Sequence, residues 1–251
     1  MGHLAALLLL LARPQLPPAF VPPPILMYHR VDVDRPADRV GRELTVSPTQ
    51  FEAQLAYLKS RGYAGITMAD LCRRLELGRP LDHVVVLTFD DGYADQYRYA
   101  LPLLRRFGDA ATFYIVTGFV DMPHHLTWAQ LKTMRDDGED IGAHGITHDD
   151  LSRMPARQQA KQIYGSLRAL QLHLGASPRS YAYPSGQFNR ATLALVRDAR
   201  VELAVTTDAR YVVPPPVRLE LARVRVRSDW TIGEFAAAIR RALIRGTIVR
   251  R

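Results

Sequence analysis

The sequence predicts an α/β protein, a distorted (β/α) barrel of about seven parallel strands, and three observations carry that expectation. Short apolar runs rich in β-branched residues alternate along the chain with longer segments of helical periodicity, the pattern of βα units feeding a parallel sheet. About seven such runs are present, a count that suits a closed or nearly closed barrel. Residues that carry chemistry (His29, the Asp90/Asp91 pair, His144, and Pro184 with Ser185) fall at or just past the ends of those runs. In (β/α) barrels the functional groups gather at the C-terminal ends of the strands.

The elements follow in order. Strands are expected over residues 25–29, 63–67, 84–89, 111–116, 140–143, 180–183 and 202–206. The first helix starts at Ser47, where a capping hydroxyl, Pro48 in the opening turn and apolar Phe51, Leu55 and Leu58 at spacings of three and four coincide. Further helices are expected over 68–77, 95–107, 127–137, 156–174, 189–199 and 231–244. The Tyr-Val-Val-Pro-Pro-Pro stretch at 211–216 reads as a stiff connection within one domain.

The chain has 251 residues, 47% of them hydrophobic, enough for one large domain with a sizeable core. The domain is expected to span 25–251, after a segment 1–24 that reads as a leader. Its nine apolar residues at 4–12 are followed by Arg13 and a proline-rich stretch. That block is shorter than the roughly 20 residues of a membrane span. It resembles a signal-peptide core, without a basic residue before it, so export to the periplasm or cell envelope is the expectation, and a cytoplasmic location follows if the leader is not a working signal. A single cysteine, Cys72, excludes an intramolecular disulfide. The net charge of +8 is carried almost wholly by scattered arginines. Such a balance is compatible with a membrane surface or cell-envelope polymer, and the absence of any recognised binding motif sets nucleic acid aside.

The most informative segment runs from Val84 to Gly92, where an apolar strand ends in two adjacent carboxylates and a glycine, Thr-Phe-Asp-Asp-Gly. Two like charges side by side must be hydrated, paired or bound to a cation. A second segment, His144-Gly-Ile-Thr-His148, places two imidazoles four residues apart after another short apolar run. One carboxylate and two imidazoles make an N/N/O donor set that leaves coordination positions open, and zinc is its natural occupant. The spacing alone does not say which aspartate joins the histidines.

Taken in order with Ala-Tyr-Pro-Ser-Gly at 182–186, these segments resemble the leading motifs of the NodB-like polysaccharide deacetylases, carbohydrate esterase family 4. The opening Met27-Tyr28-His29-Arg30-Val31 resembles the start of the poly-β-1,6-N-acetylglucosamine N-deacetylases within that family, whose barrel is similar to a circular permutation of the general one. The resemblance implies that Asp91, His144 and His148 hold a divalent metal, zinc first and cobalt, nickel or iron as alternatives, and that Asp90 is the catalytic base. It implies His29 as the general acid, since no histidine follows His173 to supply the family's late motif. The general pattern has an arginine ahead of the Pro-Ser-Gly turn, where this chain has Ala182; Arg223 resembles a late arginine of the subgroup and is the candidate to orient the catalytic aspartate. Tyr183, Pro184 and Ser185 are expected to line the substrate groove, with the Ser185 N–H aimed at the oxyanion, and Tyr93 and Trp128 are candidates to stack on sugar rings. Each of those aromatics is equally suited to a core, and Asp149 and Asp150 fit either a metal-supporting role or a helix cap.

The implied function is a metal-dependent hydrolase that removes N-acetyl groups from a β-linked N-acetylglucosamine polysaccharide, poly-β-1,6-N-acetylglucosamine first, with release of acetate. Peptidoglycan, chitin oligomers and a small amide are the alternatives within the class. Outside it stands a carbohydrate-binding module that retains the metal but has lost the chemistry.

Overall fold

The computed structural model describes residues 20–207 and 218–248. Most of the leader and the proline-rich connection at 211–216 lie outside the described residues. All seven expected strands are present: β1 (Ile25–Tyr28), β4 (Ala64–Ile66), β5 (Val84–Phe89), β6 (Thr112–Ile115), β7 (Asp140–Ala143), β8 (Ser180–Ala182) and β9 (Leu203–Val205). They pair in parallel, with β5 central between β1 on one edge and β4 and β6 on the other, and β7, β8 and β9 following in turn. A short strand the sequence pattern did not suggest, β10 (Val224–Arg225), adds parallel to β1 on its free edge. Ahead of it, Leu221 bridges to Val205 and exchanges hydrogen bonds with Ala204 and Thr206. The chain from Leu221 to Arg225 therefore joins the two ends of the curled sheet, which makes the distorted (β/α) barrel.

The helices lie where capping chemistry places them. Helix α2 (Pro48–Ser60) starts with the Ser47 hydroxyl accepting from the Gln50 N–H, and α3 (Met68–Glu76) with Thr67 accepting from Asp70. Helices α5 (Trp128–Asp136) and α7 (Arg190–Asp198) open on full capping boxes, Thr127 with Gln130 and Asn189 with Thr192. Helix α6 (Ala156–Leu174) ends on Gly175 in the left-handed conformation, and α8 (Ile232–Ile248) runs past the expected end at 244. A short helix α1 (Arg39–Leu44) and a two-stranded parallel pair, β2 (Arg30–Val31) with β3 (Thr45–Val46), sit in the segment the sequence left unassigned. The helix expected over 95–107 is divided: Gln96–Ala100 form a π turn and α4 spans Leu101–Phe107. Pro102 has no N–H to return to the preceding turn, so the backbone there is free to widen.

Strand parity positions the site. The odd-numbered residues of β5, Val85, Leu87 and Phe89, pack outward in the larger core cluster with Leu55, Leu104 and Leu131 of the helices. The even-numbered Val84 and Val86 face inward with Ile25, Tyr114, Ala182, Leu203 and Val205, and α3 closes one end of this interior through Met68, Leu71, Cys72 and Leu75. Side chains alternate with a period of two, so Thr88 and Asp90 continue the inward row of β5, His29 that of β1, and His144 that of β7. No helix among the described residues is long and apolar enough to cross a membrane.

Candidate active site

Asp90 is the best-anchored residue of the site. It is 1% exposed, its N–H donates to the Tyr28 carbonyl, and the Arg223 guanidinium grips it in a two-pronged ion pair, Nη1 to Oδ1 at 2.7 Å and Nη2 to Oδ2 at 2.6 Å. Arg223 is itself 1% exposed; Nε donates to the Thr206 carbonyl at 3.0 Å, Nη1 reaches the Thr88 hydroxyl, and the guanidinium lies 5.7 Å from the centre of the Tyr114 ring. Tyr114 fits because position 142 is glycine: a Cβ there would stand 2.4 Å from its ring. Burial acts to raise the Asp90 carboxyl, but the Arg223 charge and hydrogen bonds outweigh it and hold the group well below the usual carboxylate range.

At Asp91 the chain turns sharply through φ 72°, followed by Gly92 at φ 74°, and the carboxylate leaves the inward row for the rim. Its Oδ1 stands 3.6 Å from His144 Nε2 and 3.4 Å from His148 Nε2 and has no hydrogen-bond partner in the protein. One ligand atom from each of Asp91, His144 and His148 lies within 4.8 Å of the others. His144 donates from Nδ1 to the Ala182 carbonyl at 2.7 Å; a carbonyl can only accept, so this bond fixes the tautomer and leaves the Nε2 lone pair facing the cluster. His148 is brought round by a loop with φ 78° at Gly145 and φ 60° at His148 itself, so the two imidazoles approach edge to face across a turn and not along a helix. That loop hangs on Gln162 of α6, whose Oε1 accepts from the Ile146 and Thr147 N–H groups.

The charge states match what a cation would need. Burial lowers His144 to about 4, against the pull of Asp90, and burial lowers His148 as well, so both rings are neutral near pH 7. Burial, and then the charge of Asp90, raises Asp91 to about 7. A buried carboxylate oxygen without a partner, facing the Nε2 atoms of two imidazoles, fits a divalent metal. His29 follows β1 beside Asp90; it is buried, its Nδ1 has no protein partner, and burial lowers it to about 4.

The chain matches the family model of polysaccharide deacetylases over residues 78–204. It is 30% identical over 217 residues to YxkH of Bacillus subtilis (strain 168), which bears the name of a polysaccharide deacetylase, covering 86% of this chain and 75% of that protein. The chain belongs to the polysaccharide deacetylase family. Among solved structures it is similar to the Streptococcus pyogenes deacetylase PplD in complex with acetate, at TM-score 0.80 and 30% identity over 86% of this chain and 97% of that one. The poly-β-1,6-N-acetyl-D-glucosamine N-deacetylase of Staphylococcus aureus (strain MSSA476) is 23% identical over 75% of this chain and 70% of its own length.

Within this deacetylase fold, the residues expected from the sequence divide into two groups. Asp90, Asp91, His29, His144, His148 and Arg223 converge as described. Pro184 is buried, and Ser185 is exposed at φ 54°, its turn closed by hydrogen bonds from Gly186 to Tyr183 and from Gln187 to Pro184. Two expectations need correction. Tyr183 is fully buried, with its hydroxyl on the Leu219 carbonyl and its ring against Tyr181 and Phe188, because its parity on the β8 strand end is the outward one. It has no face to offer a sugar. Trp128 stacks on His173 of α6 with ring centres 3.9 Å apart, a contact between helices. Tyr93 stays at the rim, half-buried, but its ring is engaged by Arg30 at 4.9 Å and by His125 at 5.3 Å. Asp150 caps the turn at Ser152, and Asp149 accepts from Thr147. Sequence reasoning overlooked Gln162 and Gln96; both act on backbone groups, and such contacts leave no composition or spacing signal.

Proposed function

We propose that this deacetylase is a metal-dependent hydrolase that removes N-acetyl groups from a β-linked N-acetylglucosamine polysaccharide, poly-β-1,6-N-acetylglucosamine before other linkages. The observation that carries the reading is the pairing of an Asp91–His144–His148 donor set with an adjacent, arginine-clamped Asp90 on the same strand end. The name of the Staphylococcus aureus relative supports the polymer. Asp91, His144 and His148 would hold the ion, with zinc favoured by the N/N/O set and cobalt, nickel and iron compatible with it. When bound there, such an ion supplies Lewis-acid polarisation of the acetyl carbonyl and makes water more acidic.

The remaining steps belong to the protein. Asp90, kept ionised and immobile by Arg223, takes a proton from the attacking water at a carboxylate oxygen. The Ser185 N–H, on its exposed turn, would donate to the acetyl oxygen as negative charge develops on it. The proton taken by Asp90 passes to His29, and the imidazolium so formed gives it to the departing amine nitrogen and returns to the neutral ring, since an amide anion is too basic to leave unaided. Burial keeps His29 neutral at rest, and the carboxylate of Asp90 beside it favours the imidazolium as the proton passes through. Action at the cell envelope accords with a polymeric substrate and with the apolar leader.

The test is acetate release from N-acetylglucosamine oligomers of β-1,6 and β-1,4 linkage by metal-loaded protein, chelated protein and the Asp90→Asn variant. Release that requires metal, disappears in the variant and prefers β-1,6 linkage is expected. A β-1,4 preference would reassign the substrate to chitin or cell wall, and no release with metal bound would overturn the deacetylase reading.

A further inference from the structure

Gln96 lies at the start of the π turn and is fully buried, yet no motif contains it. Its Nε2 donates to two main-chain carbonyls at once, His29 at 2.7 Å and Asp90 at 2.6 Å. Both partners can only accept, so the amide orientation is fixed by chemistry, with the nitrogen toward the strands. The consequence is that Oε1 points away, buried and without a partner in the protein. A buried acceptor without a partner carries a desolvation penalty, and the π turn that delivers the side chain is a rare form, frequent at functional sites.

The two carbonyls belong to adjacent parallel strand ends. Tyr28 pairs with Phe89 in the last rung between β1 and β5, and the Asp90 N–H still donates to the Tyr28 carbonyl. Beyond that rung the ladder stops: His29 separates β1 from β2, and β2 pairs with β3 in a different sheet. The neighbouring Asp95 secures the far side of the same break, accepting from the Val31 N–H at 3.0 Å and from Arg30 Nε at 2.8 Å. Asp95 and Gln96 thus bracket His29 from a single turn, one through the residues that follow it and the other through its own carbonyl.

We infer that Gln96 is a positioning residue, a two-pronged main-chain clamp that fixes the separation between His29 and Asp90 past the point where the sheet does so. This rests on the deacetylase reading in that His29 and Asp90 are taken as its proton donor and base. The hydrogen bonds of Gln96 go to main-chain carbonyls and to no side chain of the site, so its loss should act on turnover more than on binding.

The experiment compares Gln96→Met, which keeps length and loses both donors, with Gln96→Asn, whose shorter amide reaches one carbonyl at most. For the Met variant kcat on N-acetylglucosamine oligomers is expected to fall by roughly 10- to 100-fold, the scale of a displacement of about 1 Å in a reacting pair, with KM and zinc affinity within about a factor of two of wild type. The Asn variant is expected to lie between, and it decides the matter if the Met variant does not fold. Unchanged kcat per folded molecule, or a parallel loss of kcat and zinc affinity, would overturn the clamp and leave Gln96 a structural residue. If wild-type protein binds zinc but releases no acetate from any substrate, it is the deacetylase reading that fails. The clamp is then judged by the crystal structure of the Asn variant, where an unaltered spacing of the His29 and Asp90 carbonyls would refute it.

Discussion

Asp90 and Asp91 are chemically identical neighbours driven in opposite directions, and one arginine makes the difference. Burial raises both carboxyls; Arg223 reverses that for Asp90, while Asp91 also feels the charge of Asp90 and rises to about 7. Two titratable groups pushed apart in this way suit different tasks, which accords with the proposed division into a base, Asp90, and a metal ligand, Asp91. The folded Asp90 value lies below the unfolded one, about 3.9. Its contribution to stability is therefore complete above roughly pH 4 and is lost as the pH falls through the folded value. Replacing Arg223 by Met strands a buried carboxylate, and at pH 7 the loss should be about 3–5 kcal/mol in urea unfolding, together with loss of acetate release. The deficit should shrink as the pH is lowered, because the orphaned carboxyl, now raised by burial, can protonate. An Arg223→Met protein with the wild-type urea midpoint at pH 7 would show that the ion pair is not what secures Asp90. The paired aspartates and histidines stood out in the sequence because charges interrupt apolar runs there. Arg223 is one arginine among many and was reached only through resemblance. Tyr183 was misjudged because an aromatic suits a groove and a core equally; alternation from Ala182, which faces inward, assigns Tyr183 to the outer face.

At the level of elements, the strands were legible because parallel strands buried on both faces read as continuous apolar runs, as in β5. The capped helices were legible from Ser47 with Pro48 and from the segments opening at Thr127 and Asn189. What escaped was short or defined by tertiary contact: β10, with two residues, exists because β1 has a free edge for it to join. The π turn escaped because helical periodicity continues through it. A further element-level feature supports the opposite end of the barrel from the site. Glu139, entering β7, accepts the Ala111 N–H that leads into β6, at 2.6 Å. Burial raises its carboxyl from 4.5 to about 7, against that hydrogen bond and Arg105. The folded value lies above the unfolded one, so the native state holds an extra proton between about pH 4.5 and pH 7. The associated stability is complete below that window and is lost as the pH rises through about 7. Glu139→Gln keeps the acceptor and removes the ionisation. Its urea midpoint should exceed wild type at pH 8, by about 1–3 kcal/mol in unfolding free energy, and match it near pH 4.5. A variant no more stable than wild type at pH 8 would show that the buried carboxylate is not under penalty.

The whole molecule explains why the site needs a closed barrel. Asp90 and Asp91 follow β5, His29 follows β1, His144 and His148 follow β7, and Arg223 arrives on the segment that joins β9 to β1 through β10. The proposed base thus acquires its partner only when the two ends of the sheet meet, so closure of the sheet and completion of the site are one event. A metal held by Asp91, His144 and His148 would bridge the ends of β5 and β7 across β6, adding a tie that the unfolded chain lacks. Binding to the native state alone stabilises by about 2.7 kcal/mol at a free-ion concentration of about 100 times Kd. For a protein of this size that corresponds to roughly 5–10 °C in Tm. Chelation should lower Tm by that amount and zinc should restore it. Asp91→Asn should lose the zinc-dependent shift, and its metal-free form should be at least as stable as metal-free wild type near pH 8, because the substitution removes a carboxylate that burial and Asp90 disfavour. An undiminished zinc-dependent shift in Asp91→Asn would place the ion elsewhere and remove Asp91 from the donor set. A shift absent from wild type as well would mean that the three side chains do not hold zinc at all.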